Sequence, residues 1–268
     1  MKLKKRDCVQ IAFIAFLFVC ISLAFLDWFD ETSFVLSLAL MLAILLLIIF
    51  DKYRRITDIQ QNDMKSLESH ISLINVLNPE IPLWLKDGFS ACSDYLNIVA
   101  REILIRKPQQ ILECGSGLSS IVSSYILKRN NSGKILSLEH LEWVQNAVNK
   151  ELVLHNLEDF ADVVHSPLVE VSTSIGKMSW YKSDIIDDLD EIDMVIVDGP
   201  PKHTHKMARY PLLELVYKKL AKDAIIIMDD TNRKDEAKIL KIWKHKYPNI
   251  IIRRFLTKQG AAIIEIRK

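Results

Sequence analysis

A glycine-containing turn at residues 110–117 holds the first residues whose types and spacing could bind a ligand. Its apolar start predicts a buried strand, and residues 118–127 predict the helix that follows. Gly115 and Gly117 allow the backbone to approach a ligand closely, and the helix offers unpaired N–H groups in its first turn. Because Glu113 would repel a pyrophosphate and would pair with an ammonium group, the turn favours S-adenosylmethionine as its ligand.

Two alternatives remain open for this turn. A dinucleotide-binding fingerprint would place a third glycine where this chain has Ser120, so an NAD site is the less favoured interpretation. A plain strand-to-helix turn without any ligand is equally compatible with the residues, because short glycine patterns occur in many unrelated proteins.

Acidic residues end three further predicted strands. Glu139 lies roughly 20 residues beyond the glycines, at the spacing where a carboxylate reaches ribose hydroxyl groups. Asp198 precedes the rigid Gly-Pro-Pro loop 199–201, while Asp229 and Asp230 end the next strand. The carboxyl ends of parallel strands share one edge of a sheet, so we expect these acids to lie close together.

Three aspartates at one sheet edge require a compensating positive charge. One solution is a divalent cation, for example Mg²⁺, held by the three carboxylates. The other is a basic side chain, for which Lys202 and Arg233 are candidates. A third possibility is that Asp230 caps the next helix while Asp229 faces solvent.

Histidines and aromatic residues supply further candidates. His203 and His205 follow the Gly-Pro-Pro loop, and either could act as a general base because imidazole titrates near neutral pH. A solvent-exposed loop histidine is the commoner case. Trp180 and Tyr181 either form an aromatic wall of the substrate pocket or cover the edge of the sheet.

These residues require an α/β scaffold to position them. Strand-like and helix-like segments alternate, which predicts a doubly wound, mostly parallel seven-stranded sheet with helices on both faces. The last two strands are joined only by residues 257–260 and must form an antiparallel hairpin. The predicted strands after 110–114 are 134–139, 161–165, 192–198, 224–229, 249–256 and 261–266, and the predicted helices are 90–106, 118–127, 141–155, 208–220 and 235–246.

The N-terminal part is a predicted membrane anchor. Residues 8–26 and 34–50 are apolar and long enough to cross a bilayer as two helices, joined by the acidic link 27–33. Basic residues flank the pair on both outer sides, which predicts that both termini and the catalytic domain lie on the cytoplasmic side of the inner membrane. A cleaved signal peptide is the alternative for the first segment, but no small-residue cleavage site follows it.

An amphipathic helix at 51–78 is predicted to link this anchor to the domain at 79–268. Its apolar stripe would either pair with a second copy in a homodimer or pack on its own domain. The net charge of +1 argues against a general nucleic-acid binder, and the four cysteines show neither a disulfide nor a metal-binding spacing.

Five motifs, taken together, resemble the class I S-adenosylmethionine-dependent methyltransferases, particularly the methyltransferase-24-type branch related in layout to catechol O-methyltransferase. The resemblance covers about residues 80–268, and the order and spacing of the motifs agree with the family. The motifs are Glu113-Cys114-Gly115-Ser116-Gly117-Leu118-Ser119-Ser120, Ser137-Leu138-Glu139-His140, His165-Ser166-Pro167-Leu168, Val197-Asp198-Gly199-Pro200-Pro201 with Arg209-Tyr210-Pro211, and Met228-Asp229-Asp230-Thr231-Asn232.

The resemblance implies roles for individual residues. The methionine end of the cofactor would lie on the turn that contains Glu113, the ribose on Glu139, and the adenine near the third motif. The aspartates match the positions that hold magnesium in catechol-type enzymes, although Asp230 replaces the expected Asn. The implied cofactor-binding residues are Glu113, Gly115, Ser116, Gly117, Glu139, His140, Ser166, Leu168 and Asp198, and the implied metal ligands are Asp198, Asp229 and Asp230.

The predicted reaction is methyl transfer to an oxygen of a small molecule, a lipid or a glycan. A bound cation would lower the pKa of the acceptor hydroxyl, and without a metal Asp198 or His203 would be the base. Two other functions stay open. One is a membrane-anchored scaffold that keeps the methyltransferase fold without catalysis, and the other is an NAD-dependent enzyme.

Overall fold

A computed structural model describes residues 31–83, 91–182, 184–187, 189 and 191–268 of the chain. The chain divides into two compact units, residues 1–64 and 65–268. The predicted first membrane span, 8–26, and residues 27–30 of the acidic link lie outside the described residues.

A single long helix, α1, runs from Glu31 to Leu77 and covers both the predicted second span and the predicted linker helix. Among the described residues it is the one helix long and apolar enough to cross a membrane, with a mean hydropathy of 2.5 over its apolar window. Two spans are therefore not confirmed. Its last turns belong to the second unit, where Leu73 and Leu77 are buried and the Asn97 side chain donates to the Ser69 carbonyl at 2.7 Å.

The second unit alternates strands and helices after α1. The helices are α2 (Ser93–Arg106), α3 (Leu118–Asn130), α4 (Glu142–Leu154), α5 (Asp184–Asp187), α6 (Pro211–Val216) and α7 (Lys234–Lys246), and the strands are β1 (Gln110–Cys114), β2 (Lys134–Glu139), β3 (Ala161–His165), β4 (Leu168–Thr173), β5 (Gly176–Tyr181), β6 (Ile192–Val197), β7 (Leu220–Asp229), β8 (Ile250–Phe255) and β9 (Ala261–Ile266).

Seven strands form one sheet in the order β3-β2-β1-β6-β7-β9-β8. The first five are parallel, and β9 pairs antiparallel with both β7 and β8. The predicted mostly parallel seven-stranded sheet with a C-terminal antiparallel hairpin is thus confirmed. Successive strands are added outward in one direction from β1 to β3 and in the other direction from β6 to β7. The junction between the parallel strands β1 and β6 is therefore the switch point where ligands of open α/β sheets bind.

Alternate residues of the central strands enter two separate apolar cores. Ile111 of β1 packs with α2 and α3 on one face, whereas Leu112 packs with α6 and α7 on the other. Both residues are completely buried. This alternation explains the near-continuous apolar runs of the parallel strands, since both faces of the sheet are covered.

The structure differs from the sequence prediction in two places. The predicted helix 208–220 is shorter, because α6 is followed by a 3₁₀ turn at Tyr217–Lys219 and Leu220 already begins β7. A two-stranded sheet of β4 and β5 was not predicted from the sequence.

Candidate functional site

The glycine turn lies between the ends of β1 and β6. Gly115 has φ of +93°, in the region that favours glycine, and a Cβ there would lie 2.9 Å from the backbone nitrogen of Gly199. Gly115 is therefore required by the packing of two loops. Gly117 has an extended backbone with open space where its Cβ would be. Of the two glycines, Gly117 is the one that leaves room for a ligand.

Glu113 is completely buried at the end of β1. Its Oε2 accepts hydrogen bonds of 2.5 Å from the hydroxyls of Ser120 and Ser137, while its Oε1 is buried without a hydrogen-bond partner among the described residues. Burial raises the pKa of this carboxyl to about 7, although the serine hydroxyls act in the opposite direction. An ammonium group of a ligand would supply the missing partner.

Ser120 connects this acid to the turn. Its Oγ accepts the N–H of Gly117 at 3.1 Å while its proton goes to Glu113. From the sequence alone, Ser120 is distinguished only as the position where a dinucleotide-binding fingerprint has its third glycine. Ser137 was also missed as a partner, although it lies directly opposite Glu113 in the register of β1 and β2.

Glu139 ends β2 and is also buried. Its Oε2 lies 3.2 Å from both the backbone nitrogen and the hydroxyl of Ser116, which donate to it, and its Oε1 accepts the N–H of Leu141 at 2.9 Å. The carboxylate therefore fixes the glycine turn against the end of β2, at the place expected for a ribose-binding acid.

The predicted adenine residues gather around the same strand end. The His140 ring lies edge-on to the ring of Tyr181 with 6.4 Å between centroids, and its Nδ1 is 2.9 Å from Oε1 of Glu139. That nitrogen lacks hydrogen-bond geometry, so the pair is a contact and not a hydrogen bond. Ser166 is buried and donates its N–H to the Glu139 carbonyl at 2.7 Å. Leu168 begins β4 and is half-buried.

The three aspartates meet as predicted. Asp198, Asp229 and Asp230 each offer a carboxylate oxygen, and these oxygens lie within 4.8 Å of one another. Burial, followed by the neighbouring carboxylates, raises the pKa of Asp229 to about 8. Burial also raises the pKa of Asp198, against the influence of the Arg209 guanidinium.

Arg209 lies among these acids with only 2% of its side chain exposed. Its Nη2 contacts Oδ2 of Asp230 at 2.7 Å and Oδ1 of Asp198 at 3.2 Å, and also donates to the Asp198 carbonyl. Its Nη1 donates to the Asp229 carbonyl at 2.8 Å. The sequence motif Arg209-Tyr210-Pro211 contains this arginine but does not indicate its role.

The two basic residues named from the sequence behave differently. Arg233 contacts Oδ2 of Asp230 at 2.7 Å, as expected for a counter-charge. Lys202 is exposed and forms no ion pair within the described ranges.

Divalent cations do not fit this donor set well. Two guanidinium groups already face the three carboxyl groups, and Arg209 contacts oxygens of two of them. A further ion of charge +2 would have to share those acids with a buried cation, and like charges repel. One acceptor does remain, since Oδ1 of Asp230 is buried without a partner among the described residues.

The histidine and aromatic candidates form fewer contacts with the site. His203 is exposed and makes no hydrogen bond or ion pair in the described part of the chain, and His205 contacts only the Lys206 carbonyl. Trp180 and Tyr181 are both buried in one of the two cores. The Tyr181 hydroxyl stands directly over Gly199, where any Cβ would collide with it at 2.2 Å. Tyr181 therefore packs against the loop after β6.

Comparison with known proteins agrees with this arrangement. Residues 112–231 match the model of a family described as a methyltransferase domain. No curated protein sequence matches the chain.

Three solved structures share its fold. They are the O-methyltransferase TomG of Streptomyces achromogenes with S-adenosylmethionine (13% identity, 76% of this chain and 89% of the other, TM-score 0.52), the Podospora anserina methyltransferase PaMTH1 with S-adenosylhomocysteine (14%, 75% and 88%, 0.51), and the Bacillus cereus O-methyltransferase with S-adenosylhomocysteine (14%, 75% and 91%, 0.50). Residues 112–231 are therefore similar to a methyltransferase domain, and the sheet has the methyltransferase fold.

Proposed function

We propose that this protein is an S-adenosylmethionine-dependent methyltransferase that methylates an oxygen acceptor. The observation that carries the proposal is the unpaired Oε1 of Glu113, a buried carboxylate oxygen at the end of the strand that leads into the glycine turn, where no atom lies within 4 Å of a Cβ built at Gly117. A buried acceptor without a partner is costly, and the ammonium of an amino-acid ligand would satisfy it.

The structural relatives support this choice of cofactor. Their low identity establishes only the shared fold, but all three were solved with S-adenosylmethionine or S-adenosylhomocysteine bound. Two of them are O-methyltransferases, which supports an oxygen acceptor for this chain as well.

Different residues of the chain would bind the cofactor and remove the proton. Bound cofactor supplies an electrophilic methyl group, so the protein must orient the two partners and remove a proton from the acceptor. Glu113 would bind the ammonium, Glu139 the ribose hydroxyls, and His140 with Ser166 and Leu168 the adenine. Asp198 would take the proton.

Asp198 suits that role for two reasons. Its side chain is 25% exposed, the most accessible of the three aspartates, and burial raises its pKa. Arg209 holds its Oδ1, and no described residue donates to its Oδ2, which leaves that oxygen to face an acceptor. His203 is the second candidate for the base, since its exposed position on the same loop allows it to reach a bound acceptor.

Binding of S-adenosylhomocysteine to the purified full-length chain tests the cofactor assignment. Gly117→Val places a side chain in open space, so we expect about a 100-fold or greater loss of affinity in calorimetry with an unchanged melting temperature. Gly115→Val is the contrasting variant, and it should lower the melting temperature because its Cβ meets the Gly199 backbone. Full affinity in a folded Gly117→Val protein would refute the site.

The same titration separates the two alternative functions. A scaffold without cofactor would bind neither S-adenosylhomocysteine nor NAD, and a dinucleotide enzyme would bind NAD alone. The buried acid at Glu113 argues against a pyrophosphate at this turn.

A cytoplasmic membrane position is part of the proposal. The apolar window of α1, followed by Lys52, Arg54 and Arg55, supports an anchor whose C-terminal side faces the cytoplasm. The proposed acceptor at that face is a lipid, a glycan or a small molecule. A reporter fused after Lys268 should then be active only in the cytoplasm. Periplasmic or extracellular activity of that reporter would contradict this topology.

A homodimer through residues 51–78 stays a prediction. Met64 and Leu67 remain exposed on this helix, whereas Leu73 and Leu77 already pack in their own domain. The contacts of the last two turns thus favour the intramolecular alternative for that end of the helix.

A further inference from the structure

The aspartate cluster contains its own positive charge. Arg209 reaches all three acidic residues through four hydrogen bonds, two to carboxylate oxygens of Asp198 and Asp230 and two to the carbonyls of Asp198 and Asp229. Because the guanidinium is planar and rigid, these four contacts fix both its position and its orientation.

Its position coincides with the space that a shared cation would need. A metal ion held by Asp198 and Asp230 has to accept lone pairs from their carboxylates, and Nη2 of Arg209 already contacts an oxygen of each, at 3.2 and 2.7 Å. Arg233 adds a second guanidinium on Asp230. An incoming divalent ion would meet two positive charges at short range in a site with little water.

We propose that Arg209 is the resident cation of this cluster, so that the carboxylates hold a guanidinium where a catechol-type site would hold a divalent ion. Arg209 is then a positioning residue: it sets the orientation of Asp198 through Oδ1 and leaves Oδ2 for the acceptor. The assignment of Arg209 depends only on the cluster, whereas its consequence for Asp198 rests on the proposed function.

Mn²⁺ binding, followed by electron paramagnetic resonance, tests this inference without any acceptor. The wild-type chain should show no saturable binding up to about 1 mM Mn²⁺, the weak limit of protein sites for such cations. Arg209→Gln removes the charge and leaves three carboxylates, so it should gain a saturable site at least about 10-fold tighter than any binding by the wild type. The gained site should disappear in the double variant Arg209→Gln/Asp229→Asn.

Arg233→Gln is the matched control, because Arg233 also contacts Asp230 at 2.7 Å but lies at the rim of the cluster. It should gain no Mn²⁺ site. Saturable Mn²⁺ binding by the wild type that Asp229→Asn removes would overturn the inference, with the unpaired Oδ1 of Asp230 as the evident ligand. The comparison of Mn²⁺ binding by the wild type and by Asp229→Asn tests the inference even if Arg209→Gln does not fold.

A folded Arg209→Gln protein without a Mn²⁺ site would equally overturn it, since the guanidinium would then not be what excludes the ion. Failure of the proposed function is separate from all of these outcomes. It would appear as absent S-adenosylhomocysteine binding by the wild-type chain, whatever the Mn²⁺ titration shows.

Discussion

Two buried acidic sites lie at the same edge of the sheet, and they satisfy their charge in opposite ways. Glu113 has only neutral hydroxyl partners, and one of its oxygens has none. Asp198 and Asp230, by contrast, share a buried guanidinium. A buried acid with only neutral partners indicates where a cationic ligand enters, whereas Arg209 already compensates the charge of the aspartates within the chain, although Oδ1 of Asp230 also lacks a partner among the described residues.

The pKa values follow the same division. Burial raises the pKa of Glu113 to about 7, and no basic side chain of the described protein approaches close enough to reverse it. Arg209 and Arg233 both act to lower the pKa of Asp198, although burial still prevails. A pKa of about 7 places the charge change of the Glu113 carboxyl near neutral pH, and a cationic ligand would favour its ionised form.

Removal of the shared cation should give the largest effect on stability. Arg209→Gln leaves buried carboxyl groups without their partner, so we expect the free energy of unfolding to fall by about 3–5 kcal/mol. Urea denaturation of the purified chain measures this change. A loss below about 1 kcal/mol would mean that the cluster does not depend on the arginine.

Replacement of Glu113 should act on the ligand more than on the fold. Glu113→Gln keeps the shape but loses the charge, so S-adenosylhomocysteine affinity should fall by about 10- to 100-fold at pH 8, as expected for a lost hydrogen bond to a charged group. The ionised carboxyl binds the ammonium, and its pKa in the free protein is about 7. Wild-type affinity should therefore rise as the pH increases from about 6 to 8.

The variant itself provides the control for that pH dependence, because a glutamine does not titrate in this range and should show a flat profile. The stability of the fold should change with pH in the opposite direction to the ligand affinity. A carboxyl whose pKa is raised by folding holds its proton more tightly in the native state, so wild-type stability should decrease between about pH 4.5 and pH 7. A pH-independent affinity of the wild type would remove Glu113 from the ligand site.

Sequence reasoning could find the strands and the acids that end them, because apolar runs bounded by glycine and acidic residues are local signals. It could not find the buried counter-charge, Arg209. Arg209 lies eleven positions after Asp198 on an irregular loop, and only the folded loop brings its long side chain back to the cluster. Arg233, three residues after Asp230, was found because its partner is near in sequence.

The serine partners of Glu113 show the same limit at shorter range. Ser137 lies opposite Glu113 only when the register of β1 and β2 is known. The packing role of Gly115 could not be found from sequence, since a conformational argument alone does not show that the Gly199 backbone lies 2.9 Å from its Cβ position. The observed site therefore differs from the predicted one in the contacts that depend on strand register or on loop closure.

Arg233→Gln should have the smallest effect and is the sharpest test of the comparison. Arg233 and Arg209 contact the same oxygen, Oδ2 of Asp230, at the same distance of 2.7 Å, but the Arg233 side chain is 36% exposed and that of Arg209 only 2%. Water already solvates the outer guanidinium, so we expect Arg233→Gln to cost less than about 1 kcal/mol of unfolding free energy. If both substitutions cost the same in urea denaturation, burial would not be what makes the inner pair strong, and the distinction between the two acidic sites would lose its physical basis.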